Sequence, residues 1–558
     1  MMAKLSSPLS SISSPASFYT ANASNGDIST STSASSPVQG RPSPYRATRQ
    51  LPLELKQHCQ ILLEEQLYIP AINLLNSALA AGAAKRQTAI KPVAIPPASH
   101  IALLSTLAIH PFFTTRAEKP ELCGVANLSL AYLRSLLEIA GPLNADFRTA
   151  FQFTTLPRWT RRGGFGSTGN NSDASDAESD RDEDRLRGKM SNDSSIWSRS
   201  RDFWAVVGWA FRCSTLYPNR WLYWKRWLNL VLDVLERDWE ERTRIDLETH
   251  DLSGRDGEAA PASRQESIIA QYMSEMSGRQ GCKTFIRALL ATGESDAAAF
   301  PEIFDREPRG PRKSSNKRKR DAVLDLENDR FGDYFDEESM SSGVSEPPTP
   351  QKSRDGRPKP AATTSPGLAE SIHLRLRLFK ILTTAMDVLQ GRDLGDLYLV
   401  FARELKMLPL DMFALMLNAR PSPLGRISQH ALVKDLLRLL LRRIYNDIDE
   451  DNLLDIEMAK KHYICQAANT SALDDNAKLS LIVESTLQLL WLDRSSENGE
   501  FANGLAQAAG KGIVARRAQL KKKRSANSKT QQEERHAEQV LERSGERIKL
   551  LVEVMEAS

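Results

Sequence analysis

Residues 204–242 read WAVVGWAFRCSTLYPNRWLYWKRWLNLVLDVLERDWEER, and this stretch holds six of the nine tryptophans of the chain. It predicts two helices with a break at residues 217–219, because Pro218 disfavours a helical conformation of the residue before it. On the second helix the polar residues recur every three to four positions and form one narrow stripe. The stripe consists of Lys225, Asn229, Asp233, Glu236 and Arg237.

Most of the other positions of the second helix, including Leu222, are apolar. A helix that is apolar over most of its circumference is buried. We therefore expect the tryptophans of the stretch to form a structural core: Trp204, Trp209, Trp221, Trp224, Trp227 and Trp239.

Two alternatives for the tryptophan stretch are a groove for a partner helix and a surface that stacks on nucleic-acid bases. A stacking surface needs exposed aromatic rings beside several converging cations. The cations at residues 220–226 are followed within a few turns by the acids at residues 233–238. The core interpretation is therefore favoured over both.

Apolar residues recur at helical spacing in other parts of the chain as well, as in residues 53–82, 126–144 and 428–448. The first of these stretches is predicted to break at Pro70 and to end at Gly82. Residues 373–379, HLRLRLF, alternate as in a strand, but the residues after them continue at helical spacing. The predicted fold class is all-α, either an irregular helical-repeat (HEAT-like) scaffold or a large helical bundle, interrupted by long disordered inserts.

Composition divides the chain into apolar-periodic blocks and polar stretches that are too poor in apolar residues to offset the entropy of ordering. The expected parts are a disordered Ser/Pro-rich tail (1–49), a helical block (50–158), an acidic disordered insert (159–197), a buried Trp-rich helix pair (198–247), a linker (248–265), a helical block (266–300), a disordered insert with a basic cluster and a proline-directed phosphosite (301–368), a helical block (369–493) and a charged C-terminal tail with helical segments (494–558).

Charge, cysteine usage and hydropathy narrow the class of protein. The net charge is +4, so a basic function has to be local. Five widely spaced cysteines argue against a secreted disulfide framework and favour a reducing compartment. No uninterrupted apolar run of about 18 residues occurs, so we expect no membrane association. His462 and Cys465 offer two metal ligands, whereas a structural zinc needs four, so no metal is expected.

Sequence motifs give no support to catalysis or to a cofactor. Residues 164–169, GFGSTG, match a phosphate-binding glycine pattern, but neither a strand before them nor a helix after them is predicted. The acidic residues that follow would also repel a phosphate. We therefore expect a protein that is not an enzyme and binds no cofactor, and an enzyme without a recognisable motif remains a third alternative.

Two basic clusters lie in polar stretches of the chain. The first is Lys317, Arg318, Lys319 and Arg320, and the second is Lys521, Lys522, Lys523 and Arg524. Compact clusters of cations suit the acidic grooves of nuclear import receptors, so the sequence predicts a nuclear protein. In the alternative interpretations the clusters are solvated charge runs, or residues 312–320 and 511–524 bind nucleic-acid phosphates.

Candidate phosphorylation sites lie in the same kind of stretch. Thr349 precedes Pro350 and has Lys352 downstream, which resembles the consensus of cyclin-dependent kinases, and Ser365 also precedes a proline. Ser175 and Ser179 each have an acid three residues later, the pattern that acidophilic kinases recognise. Added phosphate would enlarge the negative charge of that acidic stretch.

The function predicted from these features is a non-catalytic nuclear scaffold that binds protein partners and is modulated by phosphorylation of its inserts. The alternative is a chromatin- or nucleic-acid-associated factor that contacts phosphates through the two basic regions. Salt would discriminate between them, because phosphate-driven binding weakens steeply as ionic strength rises.

Overall fold

The computed structural model describes residues 44–83, 92–153, 185–253, 260–274, 279–293, 296–308, 365–390, 394–441, 454, 456–493, 504–518 and 528–557. These residues lie in one unit that spans residues 43–558. Helices dominate this part of the chain, so the predicted all-α fold class is confirmed. The irregular HEAT-like scaffold and its alternative, a large helical bundle, stay predictions.

The α-helices of the described residues are, in chain order, α1 (Leu53–Glu64), α2 (Tyr68–Ala83), α3 (Ala98–Leu107), α4 (Pro120–Ile139), α5 (Gly141–Asn144), α6 (Phe147–Ala150), α7 (Ile196–Arg199), α8 (Phe203–Leu216), α9 (Pro218–Ser253), α10 (Ile268–Ser274), α11 (Arg279–Leu290), α12 (Pro366–Gln390), α13 (Leu394–Lys406), α14 (Leu410–Leu417), α15 (Arg426–Leu440), α16 (Ile456–Met458), α17 (Leu473–Leu492), α18 (Leu505–Ala518) and α19 (Ser528–Ala557). Short 3-10 helices span Pro111–Phe113 and Arg264–Glu266, and a π-helix spans Ala459–Ile464.

The break between α1 and α2 does not lie at the predicted position. Helix α1 ends at Glu64, Gln66 adopts a left-handed conformation with φ of 63°, and α2 begins at Tyr68. Pro70 is the third residue of α2, where a proline is tolerated because the backbone N–H of the first turn needs no helical partner. The predicted break at Pro70 is therefore wrong, whereas the predicted end at Gly82 lies one residue from the observed one.

Helices α8 and α9 meet at Tyr217, as the sequence predicts. Asp202 stabilises the start of α8, where its Oδ1 accepts a hydrogen bond of 2.7 Å from the backbone N–H of Ala205. Pro218 is the first residue of α9, a position that its fixed φ angle favours.

The linker predicted at residues 248–265 is corrected at both of its ends. Helix α9 continues to Ser253, and residues 260–268 fold back onto it. The buried carboxylate of Asp246 accepts hydrogen bonds from the backbone N–H groups of Ser263 (2.6 Å) and Arg264 (3.2 Å). Asp238, also buried, accepts one of 2.8 Å from the N–H of Ile268. Polar residues of α9 thus hold a stretch that its composition alone marks as a linker.

Two short strands form a feature that the sequence does not reveal. Thr48–Gln50 and Val93–Ile95 pair in parallel, with Thr48 opposite Val93. Three residues are too few to show an alternating pattern, and the pairing partner is remote in sequence. Asn144 fixes the first strand, because its Nδ2 donates to the carbonyl oxygen of Arg46 at 3.0 Å.

Helix α4 is long and apolar enough to cross a membrane by length and composition, with a mean hydropathy of 1.3. The sequence predicts a helix in this region, at residues 126–144, but no single apolar run marks it as a membrane span. In the structure α4 packs against α2 and α3, and residues such as Leu133, Leu136 and Leu137 are buried there. This packing is that of a core helix.

The helices of the predicted C-terminal tail are packed parts of the body. Helices α18 and α19 lie against α17, and Leu541, Ile548 and Val552 of α19 are buried. The buried carboxylate of Glu484 on α17 accepts a hydrogen bond of 2.7 Å from Nε of Arg547. The high charge of the segment led to the prediction of a tail. The buried residues of α19 lie on one side of an otherwise polar helix.

Candidate interaction site: the tryptophan core and the segment ends attached to it

The tryptophan core comprises the six tryptophans of residues 204–242 and the side chains that contact them. Five of the six are fully buried, and Trp239 is half-buried against the same core. Leu222, in contrast, is 56% exposed, so the second helix is less completely covered than the sequence suggests. The buried rings do not form a stacking surface for bases, which would have to be exposed.

The five buried tryptophans of this stretch donate their indole N–H groups to four residues that are remote in sequence. The acceptors are the carbonyl oxygen of Tyr272 for Trp204 (3.0 Å), Oε2 of Glu307 for Trp209 (2.9 Å), Oε2 of Glu370 for Trp221 (3.1 Å), Oε1 of Glu307 for Trp224 (2.6 Å) and Oγ of Ser105 for Trp227 (2.9 Å). Buried indole groups need such partners. The tryptophans therefore join α8 and α9 to residues that are distant in sequence.

Glu307 is the centre of this arrangement. Its carboxylate is fully buried and accepts hydrogen bonds from two tryptophans and from Arg220, whose Nε lies 2.8 Å from Oε1. Arg220 is also buried, and it donates to Oγ of Thr114 at 2.7 Å and to the carbonyl oxygen of Ile109 at 2.8 Å. A buried charge is tolerated only when it is paired and hydrogen-bonded, and this pair meets both conditions.

His110 lies beside the buried ion pair. Burial, together with the charge of Arg220, lowers the pKa of His110 to about 3. Its ring packs edge-on against Phe304 with 4.8 Å between the ring centroids. The imidazole is therefore neutral at physiological pH and adds no positive charge next to Arg220.

Two further arginines hold the chain that precedes Glu307. Arg212 donates to the carbonyl oxygens of Gly293 at 2.9 Å and Phe300 at 2.7 Å. Arg375 of α12 donates to the carbonyl oxygens of Leu289 and Ala291 at the end of α11, and burial lowers its pKa to about 9. These contacts satisfy carbonyl groups at and beyond the end of α11.

Both ends of residues 309–364 are therefore attached to the same helix pair. On one side Glu307 binds Trp209, Arg220 and Trp224. On the other side Oγ of Ser365 donates to the carbonyl oxygen of Ser214 at 3.2 Å, at the end of α8. Helix α12 continues this attachment, since Glu370 accepts from Lys225 at 3.0 Å as well as from Trp221.

Residues on both sides of 154–184, Phe151 and Phe153 before it and Trp197 after it, contact the tryptophan core as well. Phe151 stacks on Trp197 with 4.8 Å between ring centroids and 20° between ring planes, and Phe153 meets the same ring edge-on at 5.0 Å. Trp197 packs against Trp227 at 6.2 Å and donates to the carbonyl oxygen of Ala102 at 3.1 Å.

The predicted inserts are consequently too long. Residues 185–197 of the insert predicted at 159–197 are described by the structure, and Leu186, Ile196 and Trp197 among them are buried. Residues 301–308 and 365–368 of the insert predicted at 301–368 are also described, with Phe304 and Glu307 fully buried. A few apolar or paired residues fix these ends. The residues around them are polar, so the sequence shows no apolar pattern that would predict a folded segment.

The polar stripe of α9 contacts another helix. Arg377 of α12 donates to Oδ1 of Asn229 (2.9 Å), Oδ1 of Asp233 (2.8 Å) and Oε1 of Glu236 (3.1 Å). The stripe thus binds α12 through Arg377 and through the contact of Lys225 with Glu370, and the surrounding apolar residues of α9 pack into the core.

Most of the candidate import and phosphorylation residues lie outside the described residues: Lys317, Arg318, Lys319, Arg320, Lys521, Lys522, Lys523, Arg524, Thr349, Ser175 and Ser179. The glycine-rich residues 164–169 lie outside them too. Ser365 is described, and it directly precedes α12 with its hydroxyl bound to Ser214.

The basic region predicted at residues 511–524 is corrected at two arginines. Arg516 is fully buried in the body and donates to the carbonyl oxygens of Ile464 (3.1 Å) and Gln466 (3.0 Å). Arg517 lies 3.9 Å from the carboxylate of Glu542. Arg516 is therefore not available for a nucleic-acid phosphate, and Arg517 faces an acid.

Comparison with known proteins gives no family: no protein-family model and no curated protein matches the chain. In the part of the chain that the structure describes, no group of three or more His, Cys, Asp or Glu side chains is placed to hold a metal ion.

Sequence reasoning identified the tryptophans of this site but missed Glu307, Thr114, His110 and Arg375. One signal for an acidic partner was present, because Arg220 stands at the start of a helix that is apolar on most sides. A cation in such a position requires a buried acid. The sequence does not say which acid, and the observed one lies 87 residues away.

Proposed function

We propose that this protein is a non-catalytic scaffold of the cell nucleus, which binds protein partners through residues 154–184 and 309–364. The observation that carries the proposal is the attachment of both ends of each segment to the tryptophan core. Interaction residues are often carried on connecting segments that a rigid body positions. Ion pairs and stacked rings buried in the core supply such a body here.

The chemistry of the two segments indicates two classes of partner. Residues 309–364 contain the cations Lys317–Arg320, which suit the acidic grooves of nuclear import receptors. Residues 154–184 contain the acidic stretch around Ser175 and Ser179, which suits a basic protein surface. Phosphate on either serine would add about −1.5 to −2 charges to that stretch and strengthen its contact with a basic protein surface.

Thr349 lies in residues 309–364, and its phosphorylation would regulate this segment separately. It lies between Pro348 and Pro350, which favour an extended backbone that a kinase cleft can accept. Lys352 and the cations after it would partly neutralise a phosphate there. Phosphorylation would therefore reduce the basic character of this segment, opposite to its effect on the acidic one.

Replacement of each segment with a Gly/Ser sequence tests the proposal directly. We expect that replacing residues 309–364 with a Gly/Ser sequence of equal length leaves the urea unfolding midpoint unchanged, since Glu307 and Ser365 are retained and loop length is constant. Binding to a purified nuclear import receptor should fall at least ~10-fold, as expected when the charge-bearing peptide of a complex is removed.

The same exchange at residues 154–184 is the matched control. It should leave receptor binding intact while removing a separate set of proteins captured from nuclease-treated nuclear extract. If both variants retain every partner of the unaltered chain, the segments are not the binding elements and the proposal is wrong. Partners that are captured from untreated extract but not from nuclease-treated extract would favour the nucleic-acid alternative. So would capture that weakens steeply between about 50 and 200 mM salt.

Nuclear localisation is expected to depend on the two basic clusters. Alanine substitution of Lys317–Arg320 together with Lys521–Arg524 in a fluorescent fusion should leave the protein in the cytoplasm, because the acidic receptor groove loses its ligands. The ratio of nuclear to cytoplasmic fluorescence measures this.

A control for total charge replaces eight exposed cations of the helical body with alanine: Lys119, Arg134, Lys283, Arg287, Lys380, Lys461, Arg543 and Lys549. This variant should accumulate in the nucleus as the unaltered fusion does. Nuclear accumulation of the cluster variant at the unaltered level would remove the import hypothesis.

A further inference from the structure

Besides Ser365-Pro366, the described residues contain a serine-proline dipeptide in the loop between α14 and α15. Residues 418–425 are irregular, and Arg420, Pro421 and Gly425 of this loop are exposed. Ser422 precedes Pro423, and its Oγ accepts a hydrogen bond of 3.3 Å from the backbone N–H of Leu424. The hydroxyl oxygen is the acceptor here, so the hydroxyl proton of Ser422 takes no part in this bond.

Ser365 carries the same dipeptide in a different setting. Its hydroxyl donates to the carbonyl oxygen of Ser214, and Pro366 is the first residue of α12. A Cβ atom at Gly367 would overlap that same carbonyl oxygen, so the start of α12 is tightly packed on α8. A kinase cleft binds an extended peptide, whereas the residues after Ser365 are helical. The residues after Ser422 are irregular until α15 begins at Arg426.

Two arginines flank Ser422 and reach the same helix. Nη2 of Arg420 donates to Oε1 of Gln488 at 2.9 Å, and Nη1 of Arg426 lies 3.1 Å from Oδ1 of Asp493. The Arg426 side chain is 63% exposed, so this ion pair is a weak surface contact. Gly425 precedes α15 and supplies no side-chain hydrogen bond to its first amides. Guanidinium groups and free helical amides both favour a phosphate.

We propose that Ser422 is a phosphorylation site for a proline-directed protein kinase and that Arg420 and Arg426 bind the added phosphate. The γ-phosphoryl group of ATP forms a bond to Oγ of Ser422, the bond to the β-phosphate oxygen breaks, ADP leaves, and the kinase base takes the hydroxyl proton. The phosphate brings about −1.5 to −2 charges to a loop with one arginine two residues before Ser422 and another four residues after it, and it competes with Asp493 for Arg426. This site lies in the helical body and does not depend on the proposed function.

The test incubates the full chain with a proline-directed kinase and ATP and measures phosphate at Ser422 and Ser365 by mass spectrometry. We expect Ser422 to be modified at least ~10-fold faster, the factor that ~1.4 kcal/mol of local unfolding at Ser365 would produce. In synthetic peptides of residues 415–429 and 358–372 the two rates should lie within about threefold, since neither peptide has a fold to open. Ser422→Ala should abolish only the Ser422 signal.

Equal or faster modification of Ser365 in the folded chain would overturn the proposal. So would absence of phosphate at Ser422, or a rate ratio that is the same in the peptides and in the folded chain.

A second measurement tests the role of the arginines. The ³¹P resonance of phosphorylated Ser422 should titrate about half a pH unit or more below that of the phosphopeptide, whose second pKa is about 6. Arg420→Gln combined with Arg426→Gln should remove this difference, whereas Arg438→Gln near the other end of α15 should not. A phosphate that titrates in the folded chain as it does in the peptide would refute binding by the two arginines.

Discussion

Glu307→Ala should lower the free energy of unfolding by about 3–5 kcal/mol, the cost typical of breaking a buried ion pair by removing one partner. The variant leaves the guanidinium of Arg220 buried without its carboxylate, and it leaves the indole N–H groups of Trp209 and Trp224 without acceptors. Urea denaturation followed by tryptophan fluorescence measures the loss.

Asp305→Ala is the matched control for Glu307→Ala. Asp305 lies two residues away and forms an ion pair of 2.9 Å with Arg199, but its side chain is 86% exposed. Exposed pairs contribute about 0–1 kcal/mol, so this variant should unfold nearly as the unaltered protein does. Adding Arg220→Met to Glu307→Ala should recover part of the loss, because no uncompensated charge then remains. Equal unfolding midpoints for Glu307→Ala and Asp305→Ala would show that the buried pair does not hold this part of the chain.

Trp224→Ala should cost about 3–5 kcal/mol of stability, as large aromatic truncations in protein cores do. The ring is fully buried, meets Trp227 edge-on with 5.6 Å between centroids, and donates its N–H to Glu307 at 2.6 Å. Its removal leaves a cavity at the centre of the tryptophan core and takes one donor from the buried carboxylate. Urea denaturation again measures the effect.

Leu222→Ala, on the same helix, separates core packing from helix propensity. Leu222 is 56% exposed, and its truncation should cost about 0.5 kcal/mol or less. Trp224→Phe keeps most of the ring but removes the indole N–H, so its cost should lie between those of the two alanine variants. If Trp224→Ala unfolds at the same urea concentration as Leu222→Ala, residue 224 is not part of the core.

The fold class and the burial of the tryptophans in the candidate site could be predicted from local patterns. Helical spacing of apolar residues is a local property, and it gave the all-α class and the break before Pro218. The narrow polar stripe of α9 gave the buried character of Trp224 and Trp227 in the same way.

The ends of the two segments could not be predicted, because they are held by isolated contacts. Trp197 and Glu307 stand among polar residues, and neither belongs to an apolar period. Each becomes buried through partners that are remote in the chain: Ala102 for Trp197 and Arg220 for Glu307. Composition therefore assigned residues 185–197 and 301–308 to the inserts, although the structure attaches them to the core through a few buried side chains.

The sequence by itself determined which helices have apolar faces, that a break precedes Pro218, and that the tryptophans are buried, since each of these follows from residues within a few turns of one another. Only the tertiary structure decided which polar residues become buried and where the segments are attached. Burial of Glu307, Arg375 or Arg516 is favourable only when specific donors and acceptors from distant helices converge on them. Such convergence depends on how all the helices pack together, and no local pattern of residues encodes it.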